Sequence, residues 1–384
     1  PQDRSSAASD VYKRQVDYKY MNNNIYVGAM SGTSHDSVDV SFIEVINSIK
    51  LKAFHSKKIS SSMQLKIQEA MSLGKISLDK YGSLDKEIGE VFGNAINEAI
   101  NKTKINKSNI RCVAISGQTI WHSPNSKKPF TIQLGDPNII AAKTKLTIIN
   151  DFRKMHIALG GKGGPIVPEF HTRLFYKKNQ PRVVVNLGGI SNYSYVSSKT
   201  SIWGSDCGPA NSLMDAYCSK KLKIPFDKNG AIASKGQIIH KELKKMLSHQ
   251  FFKSSFPKST GKELFNFLFI PKSLLQHSPE DVLATLCDLS AISIIDSIKK
   301  NNHKYKEIIL CGGGTKNQML VERINFHAKK ECVISSEIGF ESKAIESMAF
   351  AWFGYKRINN KPLSIQTKSK ENAKGLLGNV VKFK

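Results

Sequence analysis

Tyr26-Val-Gly-Ala-Met-Ser-Gly-Thr-Ser-His-Asp-Ser-Val-Asp-Val40 is the stretch around which the chain can be read. An apolar run, Ile25 to Met30, meets a small polar turn, Ser31 to Ser37. The chain then alternates, with Val38, Val40 and Phe42 on one side and Asp39 and Ser41 on the other. A period of two on both sides of a tight turn predicts a β-hairpin. The turn offers hydroxyls, close-approach backbone at Gly32 and a carboxylate at Asp36. Such a turn can cradle phosphate oxygens, and a carboxylate beside it suits hydrated Mg²⁺. The same residues also fit a solvated hairpin tip.

The pattern recurs at Arg182-Val-Val-Val-Asn-Leu-Gly-Gly-Ile-Ser-Asn-Tyr-Ser-Tyr-Val196, where Gly188 and Gly189 occupy the turn. Two hairpins of one design, each heading about half of 384 residues, predict a duplicated α/β domain. A third glycine turn, Gly312-Gly-Gly314, follows a strand at Ile308 to Cys311 and opens a helix at Asn317. Such a turn can lie flat against a base or its phosphates.

Between these landmarks the elements alternate. Leu84, Ile88, Val91, Phe92 and Ala95 predict an amphipathic helix over 80–102. Cys112 to Ile115, Thr131 to Leu134 and Leu146 to Ile149 read as short strands. The first of them runs into Gln118 and Thr119, placed where α/β proteins put ligands, although turn capping also accounts for both. Asp136 before Pro137 reads as a helix cap, and so does Ser278 before Pro279. Gly160 to Pro165 reads as a hinge, a domain boundary or a ligand-closing loop. Asp206, in Ser205-Asp-Cys-Gly-Pro-Ala-Asn211, would face the junction of the halves, or would cap a turn.

Composition narrows the classes. The formal net charge is +26, but the lysines are dispersed in pairs and no basic run or aromatic-interleaved RNA motif occurs, so no nucleic-acid partner is expected. No run reaches the ~18 apolar residues a membrane helix needs. The six cysteines are scattered without metal-ligand spacing, as expected of free thiols in a reducing cytoplasm. Residues 1–20 lack a signal-peptide pattern and are expected to be a non-native or disordered head, with Met21 as the expected start. No Walker motif occurs: the Gly-Lys pairs at 74–75, 161–162 and 261–262 are not followed by Ser or Thr.

Paired glycine hairpins in place of a P-loop resemble the actin/hexokinase/Hsp70 superfamily. Within it, the chain resembles the anhydro-N-acetylmuramic acid kinases over about 25–355. The resemblance rests on Met30-Ser-Gly-Thr-Ser34 with Asp36 and Asp39, Gly117-Gln-Thr119 with His122, Gln133-Leu-Gly-Asp-Pro137, and Asp151-Phe-Arg153. It continues through Asn186-Leu-Gly-Gly-Ile190, Asp206 with Gly208-Pro209, Lys258-Ser-Thr-Gly261, Gly312-Gly-Gly314 with Asn317, and Glu346 with Ala349-Phe-Ala-Trp352. His35 stands where the family usually has leucine, and Ser37 where it usually has glycine.

This resemblance implies two RNase H-like domains around a central cleft, 21–150 and 151–344, with 345–384 packing back on the first. It implies ATP held by Gly32, Thr33, Ser34, His35, Asp36, Ser37, Val38 and Asp39, by Gly188 and Gly189, and by Gly313, Gly314 and Asn317. Mg²⁺ would sit near Asp36 through water. Gln118, Thr119, Arg153 and Glu346 would hold an anhydro amino sugar, and Asp206 would be the base. The implied reaction opens 1,6-anhydro-N-acetylmuramic acid with water and phosphorylates O6. Another sugar or acyl kinase of the superfamily is the alternative. A homodimer is one assembly the family shows.

Overall fold

The computed structural model describes residues 24–32, 34–72, 75–367 and 372–383; the 1–20 head and Thr33 lie outside them. The opening stretch forms the predicted hairpin. Strand β1 (Ile25–Met30) pairs antiparallel with β2 (Ser37–Val45), from Ile25 opposite Glu44 to Met30 opposite Asp39. Strand β3 (Ile49–Lys58) continues the meander and β4 (Ile110–Ile115) lies parallel to β1. A separate hairpin, β5 (Gln118–Ser123) and β6 (Phe130–Leu134), then leads to β7 (Ile148–Asn150), parallel to β4.

The second half repeats this plan. Strand β8 (Arg182–Leu187) pairs antiparallel with β9 (Ile190–Val196), which pairs with β10 (Trp203–Pro209). Strand β11 (Glu307–Cys311) lies parallel to β8 and β12 (Val333–Ile334) parallel to β11. Both sheets therefore carry the same order: meander strands three, two and one, then two parallel strands. That shared order is the duplication the two glycine hairpins announced. A small hairpin, β13 (Leu363–Ile365) and β14 (Ala373–Gly375), precedes β15 (Asn379–Val381), which adds antiparallel to β7 at the edge of the first sheet.

Each sheet is covered on both faces, which is why β1 reads as an unbroken apolar run. Val27, Ala29, Val38, Val40 and Phe42 pack with the helix Leu78–Thr103. Tyr26, Met30, Ile43, Cys112 and Ala114 face the helix Ile345–Ile358. In the second sheet Val183, Val185 and Leu187 pack with the long helix Pro279–Lys300, capped as predicted by Ser278 Oγ, which accepts from Asp281 N at 3.2 Å. Val184, Ile309 and Cys311 turn the other way, into the cluster that holds Ile345–Ile358 and the helix Pro168–Phe175. Those two helices meet between the sheets. Phe170 and Trp352 have ring centroids 5.8 Å apart, and Lys356 Nζ pairs with Glu169 Oε1 at 2.8 Å.

All six cysteines are buried free thiols. The Gly160–Pro165 segment is tied at three points: Arg153 Nη1 donates to Gly163 O at 2.7 Å, Gly163 N donates to His156 Nδ1 at 3.0 Å, and Lys162 Nζ donates to Pro257 O at 2.7 Å.

One contact sets how closely the Ile345–Ile358 helix lies on β1. A Cβ added to Gly28 would stand 1.9 Å from Ser347 O and 2.4 Å from Ala351 N. Both are backbone atoms of the helix, so relief requires moving the helix itself. Gly28→Ala is expected to lower unfolding free energy by about 1–3 kcal/mol, read from urea denaturation with an unchanged m-value.

Candidate active site

The first turn is braced from below. Ser31 N donates to Ser116 Oγ at 3.1 Å, and Ser31 Oγ donates to Gln118 Oε1 at 2.8 Å. Gln118 is buried and its Nε2 reaches Gly32 O at 3.4 Å, so this amide supports the turn. Within the turn Ser34 Oγ donates to Asp36 Oδ1, and Asp36 is exposed. His35 adopts φ +44° and is buried, with Nε2 3.1 Å from Gln68 Nε2 of the helix Ser61–Ser72. The residue that departs from the family pattern thus ties the turn to a neighbouring helix.

Ser37, Val38 and Asp39 already belong to β2, and Val38 is buried in the first-sheet core. Asp39 is held rather than free. Lys343 Nζ lies 3.2 Å from Asp39 Oδ1 and donates to Ser37 Oγ at 3.2 Å and Ser56 Oγ at 2.8 Å. Burial pushes the Asp39 carboxyl up, while Ser56 and Lys343 pull it back. Ser342, the residue before Lys343, accepts from Gly312 N at 3.0 Å, so this short segment touches both the first turn and the third glycine turn.

The second turn is closed by the start of the helix Ser212–Tyr217. Asn211 N donates to Gly188 O at 3.2 Å and Ser212 N donates to Gly189 O at 3.0 Å. Ser212 Oγ is buried with no hydrogen-bond partner among the described residues. Gly313 has open space where a side chain would stand. A Cβ on Gly314 would strike Asn211 Nδ2 at 2.6 Å. Asn317 caps the helix Gln318–Ala328 through Leu320 N at 3.2 Å and donates to Asn211 Oδ1 at 3.2 Å. An orphaned hydroxyl at the second glycine turn, with open space at Gly313 of the third, fits phosphate and nucleoside. Among the described residues no cluster of three or more His, Cys, Asp or Glu could hold a metal ion. A Mg²⁺ carried on phosphates needs only one or two carboxylates, and the exposed Asp36 offers one.

Asp206 lies inside β10, which removes the reading of it as a turn or helix cap. Its Oδ2 accepts from Thr260 N at 2.8 Å, and its backbone N donates to Lys258 O at 3.0 Å. Burial pushes its carboxyl up from 3.8 to about 7, against Thr260 N–H, Arg153 and Ser259. Glu346, on the first turn of the Ile345–Ile358 helix, is likewise raised by burial to about 7, with Arg153 pulling down, and accepts from Asn186 Nδ2 at 3.0 Å. Arg153 is the cation both carboxyls feel; burial lowers it, and Glu346 and Asp206 oppose that. A carboxyl poised near neutrality is what a general base requires.

Thr119 Oγ1 accepts from Gln133 Nε2 at 3.2 Å on the β5–β6 hairpin. From the same hairpin His122 Nε2 lies 3.3 Å from Ser259 Oγ, joining the two halves. Burial first, then Arg153 and His156, lowers His122 to about 4, so it is neutral at pH 7. Burial also pushes Asp215 up and Lys262 down, and both feel the charge of Asp36. Lys343, Ser259, Thr260, Asn186 and Asp215 were not singled out as site residues from the sequence. Asn186, Ser259 and Thr260 sit within quoted motifs, and that proximity was the available signal; Lys343 and Asp215 lie outside them.

Two sheets of one topology, with glycine turns and buried carboxylates where they meet, form an actin/hexokinase-like α/β fold. A family model described as anhydro-N-acetylmuramic acid kinase matches residues 24–382. The anhydro-N-acetylmuramic acid kinase of gamma-proteobacterium EBAC31A08 is 54% identical over 364 residues, covering 95% of this chain and 100% of that relative. That of Pasteurella multocida strain Pm70 is 37% identical, covering 88% of this chain and 91% of that relative. The activator of the 2-hydroxyisocaproyl-CoA dehydratase from Clostridium difficile with bound ADPNP covers 88% of this chain and 96% of its own, at 11% identity and a TM-score of 0.47. The chain belongs to the anhydro-N-acetylmuramic acid kinase family.

Arg153 stabilises the charged forms of both carboxyls. Arg153→Met is therefore expected to move the Asp206 and Glu346 titrations further upward, by about one unit or more. Carboxyl ¹³C NMR titration of the folded variant checks this without any substrate.

Proposed function

We propose that this protein is an ATP-dependent kinase that opens 1,6-anhydro-N-acetylmuramic acid with water and phosphorylates O6, giving N-acetylmuramic acid 6-phosphate in cytoplasmic peptidoglycan recycling. The observation that carries the reading is Asp206, a buried strand carboxyl held near neutrality and fixed by Thr260 N–H beside a second carboxyl and one arginine. Opening the anhydro bridge needs a base for water and negative charge near a carbon with oxocarbenium character. Asp206 supplies both.

In this reading the water oxygen bonds to C1 as Asp206 takes its proton. The C1–O6 bond breaks with its electron pair on O6; O6 bonds to the γ-phosphorus of ATP as the bond to the β–γ bridging oxygen breaks and ADP leaves. Arg153 pairs with the lactyl carboxylate, and Glu346 and Thr119 hold sugar hydroxyls. Gln118 keeps the first phosphate turn in place. Gly32, Ser34 and Asp36 face the phosphates from one turn, with Ser37 and Asp39 beneath them; Gly188, Gly189 and Ser212 face them from the other. Gly313 and Gly314 bed the nucleoside. Mg²⁺, held through water by Asp36, neutralises phosphate charge when bound. The working lobes are 24–150 with 345–383, and 151–344.

The product is checked by ³¹P and anomeric-proton NMR of ATP plus the anhydro sugar. Absence of a 6-phosphate sinks the reading. Phosphorylation of plain N-acetylmuramic acid in preference to the anhydro sugar favours the alternative sugar kinase.

Asp206→Asn is expected to lose turnover by several orders of magnitude while retaining ATP binding. Its stability gives a second readout. The folded carboxyl, at about 7, lies above its ordinary 3.8, so the folded state holds a proton the unfolded chain has released. Stability is therefore lost as pH rises from about 4 to about 7. Asn mimics the neutral acid, so the variant is expected to melt above the parent at pH 8, with the difference vanishing near pH 4.

A further inference from the structure

Three polar side chains form one row across the second sheet. Asn186 is opposite Asn192, and Asn192 is opposite Asp206, in antiparallel register. Directly opposed residues project from the same face. It is the face that Val184 shares with the interlobe helices, whereas Val183, Val185 and Leu187 point away from it. At one end Asn186 Nδ2 donates to Glu346 Oε1 at 3.0 Å; at the other Asp206 Oδ2 accepts from Thr260 N at 2.8 Å. Asn192 stands between them, and its Oδ1 is buried with no hydrogen-bond partner among the described residues.

A buried acceptor without a donor is unfavourable unless a ligand supplies one. Neighbouring strands lie ~4.8 Å apart, so a water held by Asp206 is within reach of the adjacent amide. The carboxylates on either side are acceptors when ionised and compete for the same donors. Water has two O–H bonds to give.

We infer that Asn192 is the second holder of the attacking water, an inference that rests on the reaction proposed above. One O–H points at Asp206 and the other at Asn192 Oδ1, which aims an oxygen lone pair at C1. As the oxygen bonds to C1, Asp206 takes the first proton and the C1–O6 electron pair passes to O6. The second proton stays on the new C1 hydroxyl, still directed at Asn192. The water is oriented before reaction, and orientation of this kind acts on kcat rather than on substrate binding.

The test uses the full chain with ATP and 1,6-anhydro-N-acetylmuramic acid. Asn192→Ala is expected to lower kcat by about 10- to 100-fold, with KM for ATP and for the sugar unchanged within about twofold. Asn192→Asp keeps both shape and acceptor. Its carboxylate would sit beside Asp206, which already feels Arg153, Glu263 and Lys258, and like charge holds the Asp206 proton. This variant is expected to shift the acid limb of the pH–rate profile upward and to recover activity at high pH, which a role in packing alone would not produce. Asn192→Ala with kcat within about threefold of the parent overturns the assignment. So does a rise in the sugar KM at unchanged kcat, which would make Asn192 a sugar contact, or an unshifted profile for Asn192→Asp. A parent protein that forms no 6-phosphate overturns the reaction itself and this assignment with it.

Discussion

The absence of a side chain at Gly28 lets the helix Ile345–Ile358 lie directly on β1, with Ser347 O where a methyl group would otherwise stand. Much follows from that depth. Ser347 Oγ sits 2.6 Å from Ser41 Oγ on β2, and Gly354 brings the other end of the helix against Cys112 and Ala114 of β4. With the helix seated, its first turn delivers Glu346 to Asn186 of the second sheet, and its middle delivers Trp352 to Phe170. The helix thus registers one sheet against the other. The distance between a carboxyl in one half and a strand in the other is set by backbone packing, which is stiffer than a side-chain contact.

Where the halves meet, electrostatics works against stability. Two carboxyls and one arginine are withdrawn from water, and burial is the leading cause of each shift. Removing ions from water is costly, and one arginine does not compensate two carboxylates. The site tolerates this because apolar packing around it is extensive, on both faces of both sheets. The outcome is two acids able to change protonation near neutral pH, one fixed by a strand and the other by a helix.

The fold was largely legible in the chain because its signals are local. The alternation of Val38, Val40 and Phe42, the repeat at Asn186 to Asn192, and the Ser278 and Asp136 caps all depend on neighbours in sequence. Strand β3 was less legible: IKLKAFHSKK is half-buried and lysine-rich at the sheet edge, so its apolar stripe, led by Ile49 and Leu51, is short. The site was legible only in part. Asp206, Arg153 and Glu346 were identifiable through family resemblance. That Lys343 clasps Asp39, that His122 reaches Ser259, and that His35 leans on Gln68 depend on partners 304, 137 and 33 residues away, where no spacing rule operates.

The thiols carry a practical consequence. All six cysteines are buried and each is held above its ordinary value chiefly by burial, Cys112 and Cys207 to about 12. Alkylating reagents attack the thiolate, so the native surface is chemically silent toward maleimides and iodoacetamides. One cysteine introduced on each half, for example in place of the exposed Ile46 and Phe326, would be the only pair to take up fluorophores. Any change in the distance between the two halves could then be followed by energy transfer in a protein that keeps every one of its own cysteines.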